Sequence, residues 1–301
     1  MVQITLLGTS CMVPTKERNV SGLYVDYQGQ GILMDCGEGT QRQMNIAGIN
    51  RHDVKVICLS HWHADHVAGV LGLIQTLSGR DSPSKLIVIG PVETKKRLDL
   101  LLSATYFDQR IAIDVIELEH SDVPKKAHET SQYYIEYISL DHGIPCVAFS
   151  FIEKDRRRIK TQLLPKYGLT DGPILARFQK GEDVEVNGKL IKADEITTIV
   201  TGKKITYVPD TGMCKQAVDI STNADLLIAE STYAADEEDK AEKYNHLTSA
   251  QAAQIATMSN SKRLVLTHVS QRYKSPADLI DDAKAIFAQT ELGFDFMQIK
   301  L

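Results

Sequence analysis

The sequence predicts an α/β fold, on three observations. Apolar runs too short for helices and rich in β-branched residues recur along the chain, as in residues 56–59 and 224–229. A stretch with helical spacing follows the first of them at once, with Val67, Val70, Leu71, Ile74 and Leu77 on one stripe. Several of the strand-like runs end abruptly in histidines or carboxylates.

The sharpest of these endings is His61, His63, Asp65 and His66, on the tight connection between strand 56–59 and the helical stretch. Three imidazoles and a carboxylate packed this densely make a poor core and a costly surface, and a metal removes that cost. His61 and His63 can point the same way, as alternate residues of an extended segment do. Asp65 and His66 lie past the turn and aim at a neighbouring point. Two ligand groups on one loop suggest two metal ions close together.

Length and composition bound the rest. A chain of 301 residues can bury a substantial core, as one large domain or as one domain with an insertion. The formal net charge of -5 gives no global reason to expect a polyanionic ligand, so a nucleic-acid surface must be a local basic patch. No apolar run approaches membrane-spanning length, and the opening MVQITLLGTS reads as strand and turn without a basic leader, so neither signal peptide nor membrane anchor is expected. Cys11, Cys36, Cys58, Cys146 and Cys214 are scattered without Cys-x-x-Cys spacing, which implies neither a disulfide framework nor a zinc knuckle and fits a reducing cytoplasm.

In chain order, residues 2–7 form a strand broken at Gly8. A polar loop, Cys11 to Asn19, leads to a second strand at 21–26, and a hairpin turn at Gln28 to Gly31 leads to a third at 32–34. Asp35-Cys36-Gly37-Glu38-Gly39 is a glycine-punctuated turn that opens a helix. Beyond the histidine loop come a strand at 86–89, a helix near 92–102, and strands at 111–118 and 133–140, the last ending in Asp141-His142-Gly143. Residues 153–181 change character: Lys154, Arg156, Arg157, Arg158, Lys160, Lys166, Arg177 and Lys180 face few acids, around a Gly172-Pro173 turn. Such a run reads either as a solvated surface or as an arm that grips phosphates. Strands at 204–209, 224–229 and 263–268 then end in Asp210, Glu230 and His268, and His246 opens a helix that Thr248 or Ser249 can cap. Taken singly, His142 reads as a satisfied loop histidine, Asp210 as a turn or cap, and His246 as unremarkable.

The His-x-His-x-Asp-His pattern after a strand resembles the signature of the metallo-β-lactamase superfamily. LGTSCMVPTKERNVSG followed by DCGEGTQRQM is similar, more narrowly, to the opening of the ribonuclease Z (tRNase Z) family, in its short form. That resemblance implies an αββα sandwich over residues 1–301, with an inserted flexible arm at 153–181 that binds tRNA. It also implies an endoribonuclease that removes the 3′ trailer from precursor tRNA, leaving a 3′-hydroxyl on the tRNA and a 5′-phosphate on the trailer. Carried over residue by residue, it places His61, His63 and His142 on one metal ion and Asp65, His66 and His268 on the other, with Asp210 shared. The ions would be two Zn2+ per subunit, with Mn2+ or Fe2+ compatible with the same ligand types. Water made acidic between the ions would attack the phosphodiester. His246, oriented by Glu230, would act as general acid, Asp65 would orient the nucleophile and accept its proton, and Asp35 would bond to a ligand histidine or to a backbone turn. Lys16, Arg18, Asn19 and Arg42, with Arg156, Arg157, Arg158, Gly172 and Pro173 of the arm, would contact substrate. A cytoplasmic homodimer is implied as well. Competing readings are a metal-dependent phosphodiesterase acting on small or cyclic phosphodiesters, and a non-catalytic RNA-binding module that has kept the fold.

Overall fold

The computed structural model describes residues 1–79, 85–274 and 277–301. The first sheet is built from β1 (Val2–Gly8), β2 (Gly22–Tyr27), β3 (Gln30–Met34), β4 (Val54–Cys58), β5 (Lys85–Pro91) and β6 (Ala112–Leu118). Then come β7 (Lys125–Glu129), β8 (Tyr133–Ser139) and β9 (Val147–Glu153) of the second sheet, and β10 (Arg156–Ile159), β11 (Val184–Val186), β12 (Lys189–Ile191) and β13 (Thr197–Val200) of an excursion. The chain returns with β14 (Lys204–Val208), β15 (Leu226–Glu230), β16 (Leu264–Thr267) and β17 (Thr290–Leu292), and β18 (Gln298–Lys300) closes on β1. The two large sheets have the orders β18-β1-β2-β3-β4-β5-β6 and β17-β16-β15-β14-β9-β8-β7.

The helices that cover them are α1 (Thr40–Ile46), α2 (Ala64–Val67), α3 (Val70–Ser78), α4 (Thr94–Ser103), α5 (Pro173–Gln179) and α6 (Ala193–Ile196) in the excursion, α7 (Lys215–Ser221), α8 (Glu238–Tyr244), α9 (Ser249–Met258) and α10 (Ala277–Ile286). Alternation along the strands divides the apolar side chains between two faces. Ile4, Val25, Ile32, Val56, Phe149, Phe151, Tyr207, Ile228 and Val265 meet between the sheets. Leu7, Leu33, Ile57 and Leu59 face outward onto Val70, Leu73, Ile74 and Leu77 of α3. Val208, Leu227 and Leu266 face outward onto Ala217 of α7 and Ala252 and Ile255 of α9. The result is the four-layer αββα sandwich. No helix among the described residues is long and apolar enough to cross a membrane, and the five cysteines are free.

Three elements differ from the sequence reading. The helical stripe after His66 is two helices, because the chain breaks between α2 and α3 at Gly69. β7, with the sequence KKAHE, is a charged strand at the edge of the second sheet, where lysines and glutamates discourage pairing with another chain. The excursion does not end at Gly181: β13 returns antiparallel to β10, pairing Arg156 with Val200 and Ile159 with Thr197, so the inserted unit runs on to about Lys203. It has a small core of its own, in which Leu169, Leu175 and Phe178 pack on Val184, Ile191 and Ile196. The second half lacks the basic run of the first, so charge alone misplaces its boundary.

Two glycines let the turn after β3 touch the histidine loop. Cys36 N–H donates to His66 O (2.7 Å) and Gly69 N–H to Cys36 O (2.8 Å). A Cβ on Gly37 would lie 2.2 Å from Asp65 O, and one on Gly69 would lie 2.1 Å from Gly37 O. Gly69→Ala is therefore expected to cost about 3 kcal/mol of unfolding free energy in denaturant titration. Gly72→Ala, with open space around its Cβ inside α3, should gain up to about 1 kcal/mol. Equal effects of the two would contradict this packing.

Candidate active site

The polar residues at strand ends converge on one edge of the sandwich. β4 delivers Ser60, His61 and His63, and α2 supplies Asp65 and His66. His142 follows β8, Asp210 follows β14, Glu230 ends β15 and His268 follows β16. The sheets are tied together here, since Val147 N–H at the start of β9 donates to Ser60 O (3.0 Å). Asp35 (φ 59°) and His268 (φ 57°) both adopt the left-handed region just past a strand, a strain of about 1–3 kcal/mol each that the surrounding contacts must hold.

Four of the imidazoles have one nitrogen fixed by the protein and the other turned inward. His66 Nδ1–H donates to Asp35 Oδ2 (2.7 Å), His142 Nδ1–H to Asn245 O (3.0 Å), and His268 Nδ1–H to Thr232 Oγ1 (2.9 Å). His61 Nδ1 lies 3.0 Å from Ser60 Oγ, which itself donates to Asp35 Oδ2 (2.8 Å). Such outer bonds set the tautomer and leave Nε2 as an inward lone pair. His63 presents Nδ1 instead, 3.0 Å from His61 Nε2 and 3.2 Å from His142 Nε2. Asp35 is held as well by Ser60 N–H (2.8 Å) and by the hydroxyl of Tyr207 (2.9 Å).

Asp210 lies between two groups. Its Oδ2 is 3.8 Å from His61 Nε2 and 3.6 Å from His142 Nε2, while its Oδ1 is 3.3 Å from His66 Nε2 and 3.2 Å from His268 Nε2. Oδ1 is buried and has no hydrogen-bond partner in the protein. A buried carboxylate oxygen surrounded by inward-facing nitrogens has the chemistry of a cation site. Ligand atoms lie within 4.8 Å of one another in the groups His61, His63, His142 and Asp210, and Asp65, His66 and His268; Asp210, His246 and His268 form a third. The residues present thus fit a pair of cations sharing Asp210.

Charge in the protein alone is uneven. Burial drives His61 and His63 toward the neutral form, and repulsion from neighbouring imidazoles adds to it. Burial also opposes protonation of His66 and His268, but Asp210 outweighs it, assisted by Asp35 at His66 and Asp65 at His268, so both are held well above the ordinary histidine value. Burial would raise Asp65 and Asp210, yet the surrounding imidazoles hold both well below the usual carboxylate range.

His246 stands beside the cluster, its ring 5.2 Å from that of His142 and 5.6 Å from that of His268. Its Nδ1–H donates to Glu230 Oε1 (2.8 Å). Burial lowers the His246 pKa, but the Glu230 charge and hydrogen bond more than offset it, and the net shift is upward. Glu230 is itself fixed by Thr211 N–H (2.9 Å), Thr232 N–H (3.1 Å) and the Thr232 hydroxyl (2.7 Å). Thr232, Ser60 and Tyr207 escape the sequence reading, although their spacing offered a signal: Tyr207 precedes Asp210 on the inward face of β14, and Thr232 follows Glu230 by two.

The residues assigned to substrate divide. Arg18 Nη1 donates to Thr9 Oγ1 (2.8 Å) and Gly293 O (2.8 Å), and Asn19 binds Asp295 through its N–H (2.6 Å) and Glu38 O through its side chain (2.8 Å). Both therefore shape the loop from within, while Lys16 and Arg42 are exposed. Arg157 pairs with Asp194 and Thr197 inside the excursion, Arg156 and Arg158 are exposed beside it, and Gly172-Pro173 starts α5.

The chain is similar to proteins of known identity over its full length. It is 33% identical to Ribonuclease Z of Methanosarcina acetivorans, across all of this chain and 98% of that one. It is 34% identical to Ribonuclease Z of Bacillus cereus, across 98% of this chain and 97% of the relative. The structure of human tRNase Z, short form, superposes with a TM-score of 0.74 at 25% identity, covering 99% of this chain and 98% of that one. Family models match in two pieces: one described as anti-Pycsar protein Apyc1 over residues 2–157, and a β-lactamase superfamily domain over residues 188–269. The fold is that of the metallo-β-lactamases.

A site of this composition should gain stability from cations. Adding zinc or manganese to metal-stripped protein, at a free concentration about a thousandfold above Kd, should stabilise it by about 4 kcal/mol, read as a rise in Tm. Asp210→Ala should lose most of that rise, and an unchanged Tm for the unaltered protein would contradict the assignment.

Proposed function

The chain belongs to the ribonuclease Z family, and from that premise we propose that it is a zinc-dependent endoribonuclease that removes the 3′ trailer from precursor tRNA, leaving a 3′-hydroxyl on the tRNA and a 5′-phosphate on the trailer. The observation that carries this reading is the likeness to Ribonuclease Z relatives from end to end of the chain. In this reading the protein is a cytoplasmic homodimer, in which the excursion of one subunit holds substrate for the other.

His61, His63 and His142 would hold one cation and Asp65, His66 and His268 the other, with Asp210 between them. Nitrogen and oxygen ligands without thiolate suit zinc, and the same set accepts manganese or iron. When bound, such a pair neutralises charge on the scissile phosphate and makes water acidic enough to attack near neutral pH. The remaining work falls to the chain. Asp65 has Oδ2 fixed by Met12 N–H (2.8 Å), which steadies the carboxylate to orient the attacking water and take its proton. His246, with Nδ1 given to Glu230, has Nε2 to protonate the departing ribose 3′-oxygen. Glu230 stabilises the imidazolium form that makes this donation possible. Arg156, Arg158, Lys16 and Arg42 would grip phosphates, so recognition rests on tRNA shape and weakens with salt.

The deciding experiment is cleavage of an end-labelled precursor tRNA, with the cut and its end groups mapped; a cut elsewhere, or a 3′-phosphate on the tRNA, contradicts the reading. His246→Ala should keep its metal content while turnover falls by roughly two to four orders of magnitude. Loss of metal in that variant would mean that His246 is a ligand. Replacing residues 155–202 by a short connection should abolish precursor cleavage and spare hydrolysis of a small chromogenic phosphodiester. Equal retention of both would favour an enzyme of small or cyclic phosphodiesters, for which the excursion has no role.

A further inference from the structure

A pocket of about 260 Å³ opens beside the cluster, lined by Trp62, His63, Pro91, Val92, Glu93, Arg97, Ile144 and Pro145. We propose that it receives the base of the first trailer nucleotide, the one that keeps the cleaved phosphate; this rests on the ribonuclease Z reading.

The pocket is built in register with the cations. Trp62 lies between His61 and His63 on the histidine loop, and Ile144-Pro145 follow His142, so two walls are chain neighbours of metal-site residues. Trp62 is held in place by its Nε1–H, which donates to Thr94 Oγ1 (3.0 Å) at the start of α4. Val92 and Ile144 are 43% and 37% exposed, an apolar surface at the mouth of an otherwise polar centre. Apolar walls around an indole suit the face of a nucleobase, and such stacking tolerates any base. At the rim, Arg97 (2.7 Å) and Lys96 (3.8 Å) share the Glu93 carboxylate, which leaves a positive surplus where the next phosphate of the strand would pass.

Direction follows from the position of the proton donor. The oxygen that departs is the ribose 3′-oxygen of the tRNA, and His246 serves it. His246 lies against His142 and His268, whereas the pocket meets the cluster at His63 and touches neither His246 nor His268. The tRNA therefore leaves the phosphate past His246, and the trailer leaves it past His63.

Trp62 is the single tryptophan of the chain, so its fluorescence reports the pocket directly. Metal-loaded protein is titrated with a short RNA bearing a 5′-phosphate, and with the same RNA abasic at its first residue. Saturable quenching is expected for the first, with apparent affinity weaker by about tenfold or more for the second, the lower range of base–aromatic stacking. In cleavage, a precursor abasic at the first trailer position should lose a similar factor in kcat/KM. That discrimination should vanish in Trp62→Ala, shrink in Ile144→Ala and persist in Trp62→Phe; being a ratio within each variant, it does not depend on the folded fraction. Equal quenching by both RNAs, discrimination that survives Trp62→Ala, or a penalty found only when the last tRNA nucleotide is abasic would overturn the proposal while leaving the endonuclease reading intact. Failure of the unaltered enzyme to cut any precursor tRNA would instead remove the premise.

Discussion

Everything at the site turns on Asp210, a buried carboxylate with each oxygen facing a different set of imidazole nitrogens. Without cations this arrangement leaves Oδ1 a buried acceptor with no hydrogen-bond partner. Leaving such an atom unpaired costs about 1–3 kcal/mol, more for a charged group. At Asp210 the surrounding tautomers explain why the cost is accepted: outer hydrogen bonds to Asp35, Ser60, Asn245 and Thr232 fix the rings so that their inner nitrogens converge.

The sandwich supplies this convergence through its topology. Each sheet sends strand ends to the same edge, β4 from one and β14, β15 and β16 from the other, and the inter-sheet core sets their separation. Glycines at 37 and 69 allow the turn bearing Asp35 to lie against the backbone of the histidine loop. Asp35 then reaches His66 directly and His61 through Ser60, joining both cation groups through one carboxylate. Tyr207, from the opposite sheet, bonds the same carboxylate and couples the two halves of the sandwich.

Sequence reveals the strands and the clustered polar residues, because a run of Val, Ile and Leu ending in histidine or aspartate is conspicuous along the chain. The α/β class and the cluster of His61, His63, Asp65 and His66 are legible for that reason, whereas the layers, and the grouping of His142, Asp210 and His268 with the histidine loop, need the family resemblance. What stays hidden depends on contacts remote in sequence. Arg18 is a substrate residue by the family resemblance and Arg157 by its place in a basic run, and neither reading shows that Gly293 and Asp194 bind their guanidinium groups. The end of the excursion is set by pairing of β10 with β13, across about forty residues whose charges give no boundary. Trp62 reads as a spacer between two histidines until Ile144 and Pro145 are seen to face it across a pocket.

The central claim is that two cations lie on either side of one carboxylate. Anomalous diffraction at the zinc edge, from crystals grown with zinc, tests it most directly. Two peaks are expected, one served by His61, His63 and His142 and the other by Asp65, His66 and His268, each against its own oxygen of Asp210. A single peak, or none among these residues, would contradict the account.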